Sequence, residues 1–213
     1  MTQKLCEWRR AFFIEVGILT KILDAINSFD KLLDTEYIFV LGRKNKSIEL
    51  HIYFEKSHFY HLAGFQYLTD IANLHVNREK VYNNIKSGNI KPELLTSSVH
   101  YGEISERIDF LKFFEMIFES NKTVFRYNSA LQVFSIIEAD FLLKTDVKNR
   151  NVFTFLKKDK NGKYFCKSFF PQLDKDYSEK QAVWTVLLKK KITKSTGTEQ
   201  LLYCHPNYKI ING

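Results

Sequence analysis

Arg107 occupies a position that arginine seldom takes, and its charge there calls for an anion. The run from Ile104 to Phe118 has the period of an amphipathic helix, with an apolar stripe through Ile104, Ile108, Leu111, Phe114 and Phe118. A helical wheel puts Arg107 on that stripe. A guanidinium among apolar side chains is almost never fully buried unless something negative meets it. Here the partner is either an internal carboxylate or a bound phosphate. The first would make Arg107 scaffold, the second part of a site.

Two imidazoles form the other unusual pattern. In the segment from Phe54 to Leu68, His58 and His61 lie toward the helical face marked by Leu62, Phe65 and Leu68. A helix N-terminus beside Lys56 favours an anion and disfavours a protonated imidazole, so a histidine here is competent as a base. The blander alternative is a core histidine bonded to backbone. Metal chemistry finds little support: a His-x-x-His pair without a third ligand is under-specified, so neither a metal nor another cofactor is expected. Ser168, a small hydroxyl among bulky aromatics in Lys167-Ser168-Phe169-Phe170, either donates to a phosphate oxygen or merely fits beside Phe155. Glu138 and Asp140, two apart in a strand-like run, would share a sheet face as a catalytic pair, a solvated face or the counter-charge of Arg107. The glycine-rich phosphate loop, the dinucleotide fingerprint, the nucleophile elbow and the zinc-binding helix signature are all missing.

The elements that must position these residues fall into two parts. Residues 5–33 read as one long helix. A hairpin follows, Tyr37–Leu41 and Ser47–Phe54, joined by a turn at Arg43–Lys46, the second strand alternating cleanly between apolar and polar residues. Helices are predicted from Ser57 to about Ala72, from an Asn77 cap to Lys86, in a short piece begun by Pro92, and over the Arg107 run. From Lys122 the chain turns to β-like runs: 124–126, 136–143, 152–158, 163–170, 182–191 and 200–204. Asn161-Gly162 signals a hairpin that would set Phe155 opposite Ser168 and Lys157 opposite Cys166. The run Lys189–Lys191 reads as an exposed strand end. The expectation is one α+β domain over 1–213. N-terminal helices with an inserted β-hairpin (37–54) fill a mainly helical part to 121, and an antiparallel β-sheet over 122–204 carries the site.

Composition sets the outer bounds. At 213 residues, 45% of them apolar and 15% aromatic, the chain buries a substantial core and is not a disordered segment. Cys6, Cys166 and Cys204 have neither metal nor redox spacing, which points to a reducing cytoplasm. No apolar run reaches membrane-spanning length, and the N-terminal segment is broken by Glu15, Lys21 and Asp24. The net charge of +8 is uneven. Residues 141–213 hold 15 Lys and Arg against 6 Asp and Glu, whereas residues 1–140 hold 17 against 18. A localised basic field suits a polyanion, although a solvated lysine-rich surface accounts for it as well.

The segments 37–42 (YIFVLG), 54–71 (FEKSHFYHLAGFQYLTDI), the Arg107 helix and 168–170 (SFF) together resemble a phage and mobile-element nuclease-like family of the barnase–EndoU–colicin–RelE superfamily. The likeness covers roughly residues 30–190 and is most specific in 57–64 (SHFYHLAG). It implies helices followed by an antiparallel sheet bearing an RNA site, with His61 as leading catalytic candidate and Arg107 and Ser168 in support.

Metal-independent cleavage by such a site would use the ribose 2′-OH as nucleophile. His61 would act as base or acid, Arg107 would clamp the phosphate and Ser168 would donate to it. Lys56 and either Lys157 or Lys167 would add positive field, with His58 lying against the substrate. The expectation is an endoribonuclease acting as a toxin or in conflict between phage or mobile element and host, with an immunity protein or a host defence protein as partner and no membrane involvement. The competing reading is a catalytically inactive nuclease-fold protein that binds RNA or inhibits a host defence protein, with Arg107 paired to Glu138, Asp140 or another carboxylate. A DNA-binding helix is disfavoured because no turn between the middle helices resembles a helix-turn-helix unit.

Overall fold

Strand β1 (Thr35–Arg43) is buried along nearly its whole length, and a strand with so little polar face needs neighbours on both edges. It finds them. A computed structural model describes residues 21–120, 123–132 and 135–209. In it β1 pairs with β2 (Lys46–Tyr53) on one side and β7 (Ala182–Thr193) on the other. Lys44 and Asn45, both at positive φ (47° and 61°), make the two-residue turn between β1 and β2, a geometry whose twist matches that of the strands.

The remaining strands are β3 (Thr123–Arg126), β4 (Phe141–Val147), β5 (Arg150–Lys158), β6 (Tyr164–Pro171) and β8 (Thr198–Cys204). Their order is β1-β2-β6-β5-β4-β3-β7, and the β1–β7 pairing closes the seven into a barrel, with β8 added outside on β7. All pairings are antiparallel except the closure between β2 and β6, a single parallel bridge at Ile52 and Tyr164. Two expectations are corrected here. The sheet is a closed barrel rather than a simple antiparallel sheet, and the early hairpin is part of its wall rather than an insertion among helices. The cause is the two-sided burial of β1, which an isolated hairpin could not satisfy.

Residues 21–33 are helical (α1), consistent with the C-terminal part of the predicted 5–33 helix; its residues 5–20 lie outside the described residues. α2 (Lys56–Leu62) is much shorter than the predicted span to Ala72. Gly64 takes φ +82° immediately after it, and two 3₁₀ turns follow. α3 (Arg78–Lys86) begins where predicted, the Asn77 side chain accepting from the N–H groups of Glu79 and Lys80, and Pro92 opens α4 (Pro92–Thr96). The Arg107 run forms two helices, α5 (Tyr101–Leu111) and α6 (Phe114–Ser120), broken at 112–113.

The main core joins helices to barrel. Phe118 stacks on Tyr37 at 5.2 Å and meets Phe54 edge-on, while Phe114 meets Phe169 edge-on at 5.0 Å. A smaller cluster of Tyr127, Leu142, Phe153 and Phe155, packed against Phe170 and Tyr177, lies on the other side of β5 and β6. The 189–191 run is not an exposed end. Lys189 is fully buried, donating to the carbonyls of Phe118 and Glu119 at 2.5 and 3.2 Å, and Lys191 binds Glu115 and Glu119. Pairing β7 with β1 on one edge and β8 on the other draws these lysines inward, and the C-terminal end of α6 supplies the acceptors.

Candidate functional site

Strand β6 organises the site. β5 pairs with it along its length, but on its other edge β2 touches it only at Tyr164. Beyond that bridge no strand covers this edge among the described residues. Helices α2 and α5 pack there instead, bringing His58, His61 and Arg107 to the strand that bears Lys167 and Ser168.

The β5–β6 register slips by one residue at Phe155/Leu156. Phe155 stands opposite Ser168 as expected, but Leu156 takes Cys166, so that Lys167 is the extra residue of a bulge and Lys157 faces Phe165 rather than Cys166. Bulges re-aim side chains and recur beside functional sites. Here the bulge sets an exposed lysine directly before the serine that lines a cleft.

Arg107 lines that cleft, about 290 Å³ in volume, together with Glu103, Glu106, Tyr67, Ser168, Phe170 and Tyr177. Its guanidinium lies over the rings of Tyr67 and Phe170, 5.0 and 5.2 Å from their centroids, and donates to the Phe169 carbonyl at 3.0 Å. Among the described residues no carboxylate pairs with it. Burial lowers the pKa of the guanidinium, opposed by the Tyr67 oxygen beside it. Every carboxylate named in advance is engaged elsewhere: Glu138 holds Lys157 at 2.6 Å, while Asp140 contacts Arg126 and accepts from the Lys158 N–H. Neither lies in a strand, because β4 starts only at Phe141. Glu106, next to Arg107, makes a two-pronged bond to Arg150, and Glu103 bonds His100. A half-buried cation is therefore left facing a cleft with hydrogen-bonding capacity to spare.

His61, in the last turn of α2, is half-buried and does not line this cleft. Its neighbours are Gln66, Arg78, Lys167 and His58. Burial lowers its pKa, and the positive charges of Arg78 and Lys167 lower it further. Arg78 lies over the ring of Tyr60 and forms no ion pair among the described residues. Arg78 and Lys167 thus make a second cationic group around His61, and Lys167-Ser168 is the step that joins it to the Arg107 cleft.

The other named residues are held by the scaffold. His58 accepts from the Glu55 N–H through Nδ1 at 3.2 Å, closing a capping box, and stacks on Phe165 at 5.1 Å. Burial pushes its pKa down to about 4. Lys56 turns away to Asn83 at 3.1 Å, and Lys157 is occupied by Glu138. The structure therefore groups Arg107 with Ser168, and His61 with Lys167, but does not bring Lys56, His58 or Lys157 into the cleft.

This arrangement meets an independent finding. The family model for PBECR4, phage-Barnase-EndoU-ColicinE5/D-RelE like nuclease 4, matches residues 21–205, well over half of the chain. The chain belongs to this nuclease-like family. No curated protein and no solved structure matches it. The match takes in every residue of the two cationic groups, so in this PBECR4 chain the barrel wall at β6 and the helices on its open edge all belong to the matched region.

Reading the sequence alone missed Tyr67, Arg78, Phe170 and Tyr177. Tyr67 and Phe170 stand inside segments that drew attention for other residues, and their aromatic type beside a misplaced arginine was a usable signal. Arg78 looked like any exposed first-turn residue. Tyr177 sits in an irregular stretch where no periodicity marks it.

Proposed function

We propose that this nuclease-like chain is a metal-independent endoribonuclease that cleaves RNA by transesterification. In the proposed reaction His61 takes the proton of a ribose 2′-OH and O2′ bonds to the adjacent phosphorus. The P–O5′ bond breaks and a general acid protonates O5′, leaving a 2′,3′-cyclic phosphate and a 5′-OH end. Arg107 and Ser168 hold the non-bridging oxygens as charge builds on them, with Lys167 adding positive field; Lys56, His58 and Lys157 are assigned to the scaffold. The observation that carries this reading is the Arg107 guanidinium, half-buried on aromatic rings and open to a cleft with no carboxylate partner among the described residues. Its planar fork suits two phosphate oxygens at once.

The biological role we infer is that of a toxin or conflict effector of a phage or mobile element, acting in the cytoplasm and restrained by an immunity protein. Among the described residues no helix is long and apolar enough to cross a membrane. One observation favours a second reading, an inactive nuclease fold that binds RNA or a host defence protein: His61 stands outside the Arg107 cleft, and Arg107 already serves the Phe169 carbonyl.

The test is incubation of purified protein with total bacterial RNA in EDTA, wild type beside His61→Ala, Arg107→Ala and Ser168→Ala, each first shown to be folded. Fragments with 2′,3′-cyclic phosphate ends, reduced about a hundredfold or more in the His61 and Arg107 variants, support the enzyme. Cleavage that survives in both variants removes these residues from the mechanism. Binding to RNA without any cleavage favours the second reading.

A further inference from the structure

We propose that Gln66 is a positioning residue for His61, its side-chain oxygen accepting the ring N–H that His61 gains when it takes the proton of the ribose 2′-OH. This role rests on the reading of His61 as the base, and it names the neighbour that holds the ring once it is charged.

The chain brings residue 66 back toward residue 61 within one tight reversal. α2 ends at Leu62, Gly64 turns the backbone at φ +82°, and the 3₁₀ turn Phe65–Tyr67 follows at once. The His61 carbonyl accepts the Gly64 N–H at 3.2 Å, and the Gly64 carbonyl accepts the Tyr67 N–H at 2.9 Å. Phe65 and Leu68 are both fully buried and anchor this turn, with the half-buried Gln66 between them. The Gln66 amide lies beside the His61 ring. Its Oε1 atom is buried, yet among the described residues it has no hydrogen-bond partner. A buried carbonyl oxygen without a donor destabilises a fold, and native proteins keep few of them.

Proton transfer to His61 removes that defect. A neutral imidazole carries one N–H and an imidazolium two, so the ring gains a donor at the moment it acts as base. The other neighbours work against that charge. Burial, Arg78 on α3, Lys167 on β6 and His58 on α2 all disfavour the protonated ring, and the Gln66 amide favours it. A contact that is poor at rest and good once charge develops speeds the chemical step rather than tightening substrate binding. Catalytic hydrogen bonds are often poorly aligned in the free enzyme and tighten only in the reacting complex. A neutral amide suits this place better than a carboxylate, which would draw the proton onto the ring before substrate arrives.

Gln66→Met and Gln66→Glu, made in the full chain, separate this role from a structural one. Met keeps the volume and removes the acceptor. Because Oε1 has no donor at rest, urea unfolding of that variant should show no loss of stability. Glu makes the acceptor anionic and gives a second reading should the Met variant fail to fold. His61 is titrated by NMR with isotope-labelled histidine, its resonance identified by its absence in His61→Ala. Metal-free cleavage of RNA is followed beside it at several RNA concentrations. Expected is a His61 midpoint lower than wild type in Gln66→Met and higher in Gln66→Glu. In Gln66→Met kcat should fall about tenfold while KM stays within about twofold of wild type. Midpoints that stay put, or move the same way in both variants, overturn the proposal. So does an undiminished kcat in Gln66→Met, or a rate loss that follows a loss of stability. Opposite shifts in a chain that cuts no RNA sink the nuclease reading and leave Gln66 as the group that holds His61. Cleavage with unmoved midpoints does the reverse.

Discussion

Gly64 and Arg107 are in contact in a way that only glycine permits. A Cβ added at Gly64 would lie 3.1 Å from Arg107 Cδ and 2.8 Å from Ile104 Cγ2, and the residue stands at φ +82°. The end of α2 therefore fixes how closely α5 can approach, and with it the height of the guanidinium in its cleft. Gly64→Ala is expected to lower stability by about 1–3 kcal/mol, from left-handed strain together with the displaced side chains. It should also weaken RNA cleavage or binding. Gly88→Ala is the control, since Gly88 has φ +77° with nothing within 4 Å of the added atom. If both variants lose the same stability by urea melting and neither loses function, Gly64 does not position Arg107.

The acid side of the pH–rate profile should report His61. Burial, and then the charges of Arg78 and Lys167, lower its pKa below the usual 6.5. A base acts deprotonated, so kcat/KM should fall as pH drops through that lowered value. Arg78→Gln removes one of the depressing charges, so the acid limb should move to higher pH while burial keeps it under 6.5. Measured kcat/KM from pH 4.5 to 8 decides the matter. An acid limb that stays put, or moves down, excludes His61 as the base.

How far the sequence led is clearest at particular residues. The Asn77 cap, the Pro92 start and the two-residue turn after Arg43 were legible, because each rests on local backbone chemistry. Barrel closure was not, since it depends on β1 meeting β7 some 150 residues later, and no local pattern encodes that pairing. The misplaced Arg107 was visible by its period, and its proximity to Ser168 followed from the resemblance. The Lys167 bulge was hidden: alternation along β6 assumes an unbroken register, and one inserted residue breaks it. His58 looked as reactive as His61, because side-chain type and spacing cannot separate a capping histidine from a free one.

His58 should make the protein sensitive to mild acid. In the folded state its pKa is about 4 because the ring is buried, against about 6.5 when unfolded. Between these values the unfolded chain binds the proton and the folded one does not. Stability is therefore fully present above pH 6.5 and is lost as pH falls toward 4, by about 2–3 kcal/mol in all. His58→Gln keeps a side-chain acceptor for the Glu55 N–H at the same capping position and has no proton to gain. Its unfolding free energy, from urea titrations at pH 7, 5.5 and 4.5, should vary less with pH than that of wild type. Parallel pH dependence in the two proteins would falsify this account.

Lys189 and Lys190 are neighbours on β7 with opposite roles. Lys189 is fully buried, donates to the Phe118 and Glu119 carbonyls at the end of α6, and sits 4.7 Å from the centre of the Phe39 ring. Lys190 forms a partly exposed pair with Glu199 at 2.9 Å. Met fills the volume of either side chain but donates nothing. Lys189→Met leaves carbonyls in a buried setting without their donor, for an expected loss of about 1–3 kcal/mol. Lys190→Met removes only a screened surface pair, with an expected effect under about 1 kcal/mol. Urea midpoints of the two variants compare them directly. If the buried substitution is as mild as the surface one, the Lys189 ammonium is not what ties α6 to the barrel, and the junction rests on the Lys191 pairs with Glu115 and Glu119 and on the packing of Phe118 against Tyr37 and Phe54.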